Sequence, residues 1–218
     1  MEITVRAAAQ GRRVPEIAVL TVRVSRESAN QQQAASAAHT LMRQLSDQVR
    51  QIQADRPEIV DRLVVSPVGT RSWRPWNNEG KQLPMQHESS GRVQIALTDF
   101  DLVARLTQEW SGVDGLNLSA PHWELTEQSQ RELETEVTTE AVKLCRRRAQ
   151  VMATASGFDQ VTPLQVADTG LLERPQAEAA PAPMMARAGA ASAADEGFDL
   201  SPREIQVRIQ VEARFRAD

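Results

Sequence analysis

The sequence is poor in the residues on which most recognisable chemistry depends. Cys145 is the one cysteine in 218 residues, which excludes an internal disulfide and any multi-cysteine metal site. The three histidines, His39, His87 and His122, lack the close H-x-x-x-H kind of spacing that zinc sites use. Tyrosine is absent and aromatics are 4% of the chain, so aliphatic side chains must do most of the packing. No window approaches the roughly 18 consecutive apolar residues of a membrane span. The opening "MEITVRAAAQGRRVPEIAVL" has no basic leader followed by an apolar run. No export signal is therefore expected, and a cytoplasmic location agrees with the single thiol. A net charge of -4 gives no global attraction to nucleic acid or anionic lipid, so neither is an expected partner. No G-x-S-x-G elbow, phosphate-binding glycine loop or kinase motif occurs. No catalytic residue, cofactor or metal is assigned, and the chain is read as a non-enzyme.

What the sequence does contain is periodicity. "ITVRAAA" and "VPEIAVLTVRVSR" are rich in β-branched residues and are separated by Gln10-Gly11, read as a turn. From Ser28, a candidate cap, Leu41, Leu45, Val49 and Ile52 recur at helical spacing up to Pro57. "IVDRLVVSPVGTRSWRPW" and "SGRVQIALTD" read as a long hairpin with a polar connection at 77–84. Asp99 caps a short helix carrying Val103, Leu106 and Trp110, and "LNLSAPHWEL" reads as one further strand. The strongest helical signal runs from Leu133 through Val137, Ala141 and Leu144 to Ala155, with Thr126 and Ser129 as candidate caps and Gly157 as terminator. A strand at 160–169 precedes an alanine- and proline-rich tract, read as a flexible loop over 171–203. "EIQVRIQVEARF" closes the chain with strict alternation. This order predicts an α+β fold of antiparallel sheets with helices on one face. If the last strand pairs with the first two, residues 1–57 and 126–218 form a core subdomain and 58–125 an inserted one.

The whole arrangement resembles the SIMPL-domain family. The resemblance rests on "ITVRAAAQGRRVPEIAVLTVRVSRES", "SSGRVQIALTDFDLVARL", "TEAVKLCRRRAQVMATASG" and the "PAPMMARA" loop leading into "EIQVRIQVEARF", in that order. It implies a single SIMPL-like domain over 1–218 built as two intertwined α/β plaits. It also implies a loose link to stress responses and to ring- or channel-like homo-oligomers. The family offers no catalytic motif to carry over, and many of its members have an export signal, which is not expected here.

Few residues invite a functional reading. Cys145 has Lys143 and Arg146 to Arg148 nearby, which favours a thiolate, but it shares a helical stripe with Ala141, Ala149 and Met152, which favours a small core residue. The "KLCRRR" run reads as a surface that pairs with carboxylates such as Glu136 and Glu140. Trp73 and Trp76, with Arg71 and Arg74, sit near the tip of the expected hairpin and are residue types enriched at interface hot spots. Packing of Trp73 on its own sheet is the competing reading. Met184 and Met185 are candidate apolar contacts on a neighbouring subunit. The expectation is a homo-oligomeric assembly protein. The alternative is a small-ligand or protein-partner module that uses the Trp73 and Trp76 hairpin.

Overall fold

The computed structural model describes residues 1–77, 80–172 and 202–218. In chain order the elements are β1 (Glu2–Arg13), β2 (Ile17–Ser28), α1 (Gln31–Asp55), β3 (Val60–Val65), β4 (Gly69–Trp73), β5 (Gln86–Leu97), α2 (Phe100–Ser111), β6 (Leu116–Leu118), β7 (His122–Glu124), α3 (Glu127–Ala155), β8 (Val161–Asp168) and β9 (Ile205–Ala217). All strand pairings are antiparallel, and the fold is α+β.

Two compact units share this chain. One takes Met1–Val14, the described part of 125–197 and Glu204–Asp218; the other is built on Pro15–Glu124. The first holds a three-stranded sheet in the order β1-β9-β8, with α3 on one face. α3 starts where Thr126 Oγ1 accepts the Ser129 N–H at 3.3 Å. It ends beside Gly157, whose φ of 84° is the left-handed conformation that favours glycine after a helix. Its buried stripe, Leu133, Val137, Ala141, Cys145, Ala149 and Ala153, steps by four and turns small towards the C-terminus. Against it lie Ile3, Val5 and Ala9 of β1 with Val211, Ala213 and Phe215 of β9.

The second unit holds a larger sheet in the order β3-β5-β2-β6, with β4 also on β5 and β7 also on β2. Its core joins Leu20, Val22 and Val24 of β2 and Val93, Ile95 and Leu97 of β5 to Met42, Leu45 and Val49 of α1 and Leu102, Leu106 and Trp110 of α2. Asn30, two residues past the expected Ser28, caps α1 by accepting the Gln32 and Gln33 N–H groups at 2.9 and 3.1 Å. Asp99 caps α2 through the Leu102 N–H at 3.0 Å.

Three further expectations need correction. Gly11 is no turn: it lies within β1, paired with Val207, where a Cβ would come within 2.7 Å of Val137 and 2.8 Å of Leu133. The glycine lets α3 approach, and the break comes at Val14–Glu16 instead. Second, β9 pairs with β1 and β8 and not with β2, which pairs with β5, β6 and β7. β2 and α1 therefore belong with the middle segment, so the division falls after Val14, not after Arg56-Pro57. Third, "LNLSAPHWEL" forms two three-residue strands, β6 and β7, rather than one. Most of the tract over 171–203 lies outside the described residues.

Candidate functional site

The hairpin residues singled out by sequence fall in one region of the second unit. Trp73 ends β4 half-buried, with the Arg71 guanidinium carbon 5.1 Å from its ring centroid, a cation-π arrangement. Arg74 is exposed, and Trp76 is 64% exposed, held by an isolated bridge to Gln82. Trp73 thus packs beside its own strand while Trp76 presents its ring outward. Behind Arg71 lies a residue that the sequence did not single out. Glu88 of β5 is buried, and its carboxylate accepts from Arg23 Nη2 at 3.0 Å on one oxygen and from Arg71 Nε on the other. Burying a carboxylate is costly unless it is paired, and two guanidinium groups meet that need. The pairing holds Arg71 under the Trp73 ring. Next to it, Thr70 and Ser89 hydroxyls meet at 2.7 Å, and Ser72 Oγ meets His87 Nδ1 at 2.7 Å.

Met184 and Met185 lie outside the described residues. His39 and His122 are exposed and far apart in the chain. Among the described residues no group of three or more His, Cys, Asp or Glu is placed to hold a metal ion. Cys145 is fully buried, and its thiol donates to the Val211 carbonyl at 3.4 Å. Burial pushes the thiol up from its ordinary value, against the opposing pull of the Ala7 backbone and the Arg148 charge. It is a small core residue held in the protonated form, not an activated nucleophile.

The first unit carries a second feature that side-chain motifs do not reveal. β1 is the edge of its sheet and runs opposite β9 for 12 residues with no shift of register. Along its other edge runs a groove of about 600 Å³, lined by Ala7 and Ala8 together with Leu144, Arg147, Arg148 and Val151 of α3. The edge residue Arg6 is anchored across the ladder: its Nε donates to Glu212 Oε1 at 2.9 Å. Burial alone would raise the Glu212 carboxyl, but Arg6 and the backbone N–H groups of Gly170 and Leu172 outweigh it and hold the group below its ordinary value.

The SIMPL family model, described as "Protein of unknown function (DUF541)", matches residues 3–215. The chain belongs to the SIMPL family. Among curated proteins none matches it. The family match spans both units of this SIMPL chain and both surfaces just described, but its description assigns neither a role. Of those surfaces, the Trp and Arg side chains were legible by composition. Glu88 was missed because the strand was read from Ser90 onward, whereas β5 starts at Gln86. The signal available was that Arg71 and Glu88 flank the 77–84 connection, where opposite charges can face each other across a hairpin.

Proposed function

We propose that this SIMPL protein is a non-enzymatic protomer that joins copies of itself into a homo-oligomer. The observation that carries the reading is the outer edge of β1, which has no partner strand among the described residues. An unpaired strand edge is a template for pairing, and folds blunt such edges by shortening, kinking or covering them. Among the described residues the other edge strands are short or irregular, β4 being five residues long. β8 carries Pro163 and a register shift, β3 a register shift between Val60 and Arg62, and β6 and β7 are three residues each. β1 is long and regular, and no described strand pairs with its outer edge. Self-association covers such an edge at no cost in new sequence. A role in stress responses belongs to the same proposal and rests on the family resemblance alone.

Absolute mass by light scattering during size-exclusion chromatography tests the reading. A discrete mass above one protomer supports assembly, and a monomer at tens of micromolar sinks it.

A second reading makes the hairpin a docking surface for a protein partner, supported by the exposed Trp76 beside the Arg71 and Trp73 pair. Replacing Trp73 and Trp76 by alanine separates the two. Loss of the oligomer places the hairpin in the assembly, whereas loss of a captured partner from an intact oligomer makes it a separate module.

A further inference from the structure

The backbone groups of successive strand residues point to opposite edges. The Ala217 N–H donates to the Met1 carbonyl at 2.8 Å, so in β1 the odd-numbered residues turn towards β9. The even-numbered ones, Glu2 to Arg12, direct their N–H and C=O groups to the outer edge, where Arg148 Nη1 donates to the Arg6 carbonyl at 3.0 Å.

The geometry points to one occupant for this edge, a second copy of the chain: β1 joins β1 antiparallel about a two-fold axis at Ala7, and α3 packs on α3 about the same axis at Leu144. The inference rests on the assembly reading and gives it an interface, a symmetry and a register. The product is one continuous six-stranded sheet, β8-β9-β1 followed by the second copy's β1-β9-β8.

Charge sets the register. With the axis at Ala7, Glu2 faces Arg12 of the second copy, Thr4 faces Gln10, Arg6 faces Ala8, and symmetry repeats each pair. An axis at Arg6 would set Arg6 against Arg6, and an axis at Ala8 would carry Glu2 past the end of the opposing strand. Only Ala7 sets Glu2 against Arg12. The side chains at the axis are small, which suits the close approach of about 4.5 Å between Cα atoms at a pair that exchanges no hydrogen bonds.

The helix gives the same axis independently. Residues four apart share a face, so Glu140, Leu144 and Arg148 form a row on α3 that continues back to Glu136. Glu136 accepts from Arg13 of β1 at 3.0 Å and Arg148 donates to Arg6 of β1, so this row follows the outer edge of β1. An antiparallel helix pair about Leu144 sets Glu140 against Arg148 of the second copy, twice. Leu144, Ala7 and Ala8 line one groove, so the two axes fall at one level. The spacing also agrees. α3 packs on both β1 and β9, about one strand spacing of ~4.8 Å from the axis, which sets the two helices roughly 9.6 Å apart. Packed helices lie about 8–10 Å apart. On pairing, the Ala8 N–H of the second copy replaces Arg148 on the Arg6 carbonyl, and Arg148 turns to Glu140.

The test uses the full chain, with dissociation constants measured by sedimentation equilibrium and folding checked by circular dichroism. Ala8→Pro removes an N–H that faces the outer edge and not β9, so it should abolish self-association while the helix and strand signal persists. Glu2→Arg and Arg12→Glu should each weaken the dimer about tenfold, since each sets like charges opposite at both symmetry-related pairs. An equal mixture of the two variants should recover wild-type affinity as a heterodimer, because every Arg then faces a Glu. That recovery decides the matter even if Ala8→Pro fails to fold. An oligomer untouched by Ala8→Pro and by both charge reversals would overturn this interface and leave the assembly reading standing. A wild-type chain that stays monomeric would overturn both.

Discussion

The two units solve the same problem, a sheet covered by helix, with opposite materials. In the second unit the contact is made by large aliphatic side chains, with Leu20, Val22, Val93, Ile95 and Leu97 fully buried under α1 and α2. In the first, α3 meets the sheet largely through the small side chains Ala141, Cys145, Ala149 and Ala153, with Ile3, Val5 and Ala9 of β1 and Val211, Ala213 and Phe215 of β9 opposite. Small side chains bring backbones close, and a close contact has little room to give. The units also differ at their borders. The larger sheet ends in short or irregular strands, while the smaller one ends in the long, regular β1. Among the described residues, the unit with the thinner core is thus the one whose long edge strand has no outer partner, which is where a second copy would add both core and ladder.

This contrast fixes what should break each unit. Leu20→Ala in the second unit leaves a cavity and is expected to cost about 2–5 kcal/mol, whereas Val5→Ala, at the margin of the alanine-lined contact, should cost less. The reverse change separates them further. Ala149→Leu in the first unit forces a large side chain into a close contact and should cost roughly 1–3 kcal/mol or more. Urea denaturation followed by circular dichroism reads both. Equal sensitivity of the two cores to truncation would end the comparison.

Two glycines sharpen it at a smaller scale. Gly11→Ala sets a Cβ within 2.8 Å of both Leu133 and Val137, and Gly91→Ala sets one 2.5 Å from Met42 Sδ. Both should destabilise, by about 1–3 kcal/mol. The methionine is the more adaptable neighbour, so Gly11→Ala should show the lower urea midpoint. Next in size is Thr107, whose buried hydroxyl has no hydrogen-bond partner among the described residues. Thr107→Val keeps the shape and removes the unpaired group, so it should stabilise the second unit by about 1 kcal/mol. A rise in thermal midpoint checks it.

The last prediction is defined by its pH dependence. The folded Glu212 carboxyl is held below its ordinary value. Its contribution is therefore fully present above the unfolded range of about 4.3 and is lost as pH falls through the lower folded value. Glu212→Gln should be less stable than wild type at pH 7, and the gap should close below about pH 4. Stability curves for the two proteins that stay parallel down to pH 3 would refute the pairing with Arg6.

Much of the fold was legible in the residues, and the misreadings have a common cause. Helix α3 could be placed from its four-residue stripe, and β9 from its strict alternation, because both patterns are local. Gly11 was misread because glycine marks a turn or a close approach with equal force, and only the position of Leu133 and Val137 decides between them. The partner of β2 was misread for a related reason. Alternation shows that a strand has a buried face but does not say which strand lies beside it. The candidate surfaces divide in the same way. Trp76 stood out by residue type, whereas the Glu88 pairing and the open edge of β1 exist only once strands are paired.

What the sequence by itself determined was the class of the fold, the type and order of its main elements, and the Asp99 cap of α2. Each follows from side-chain periodicity or from one residue next to a helix end, and neither needs distant partners. Tertiary structure alone decided that the chain divides after Val14, that β9 closes on β1 and that no described strand pairs with the outer edge of β1. Those outcomes depend on contacts between residues some two hundred positions apart, such as Ile3 and Phe215, whose pairing no local pattern encodes.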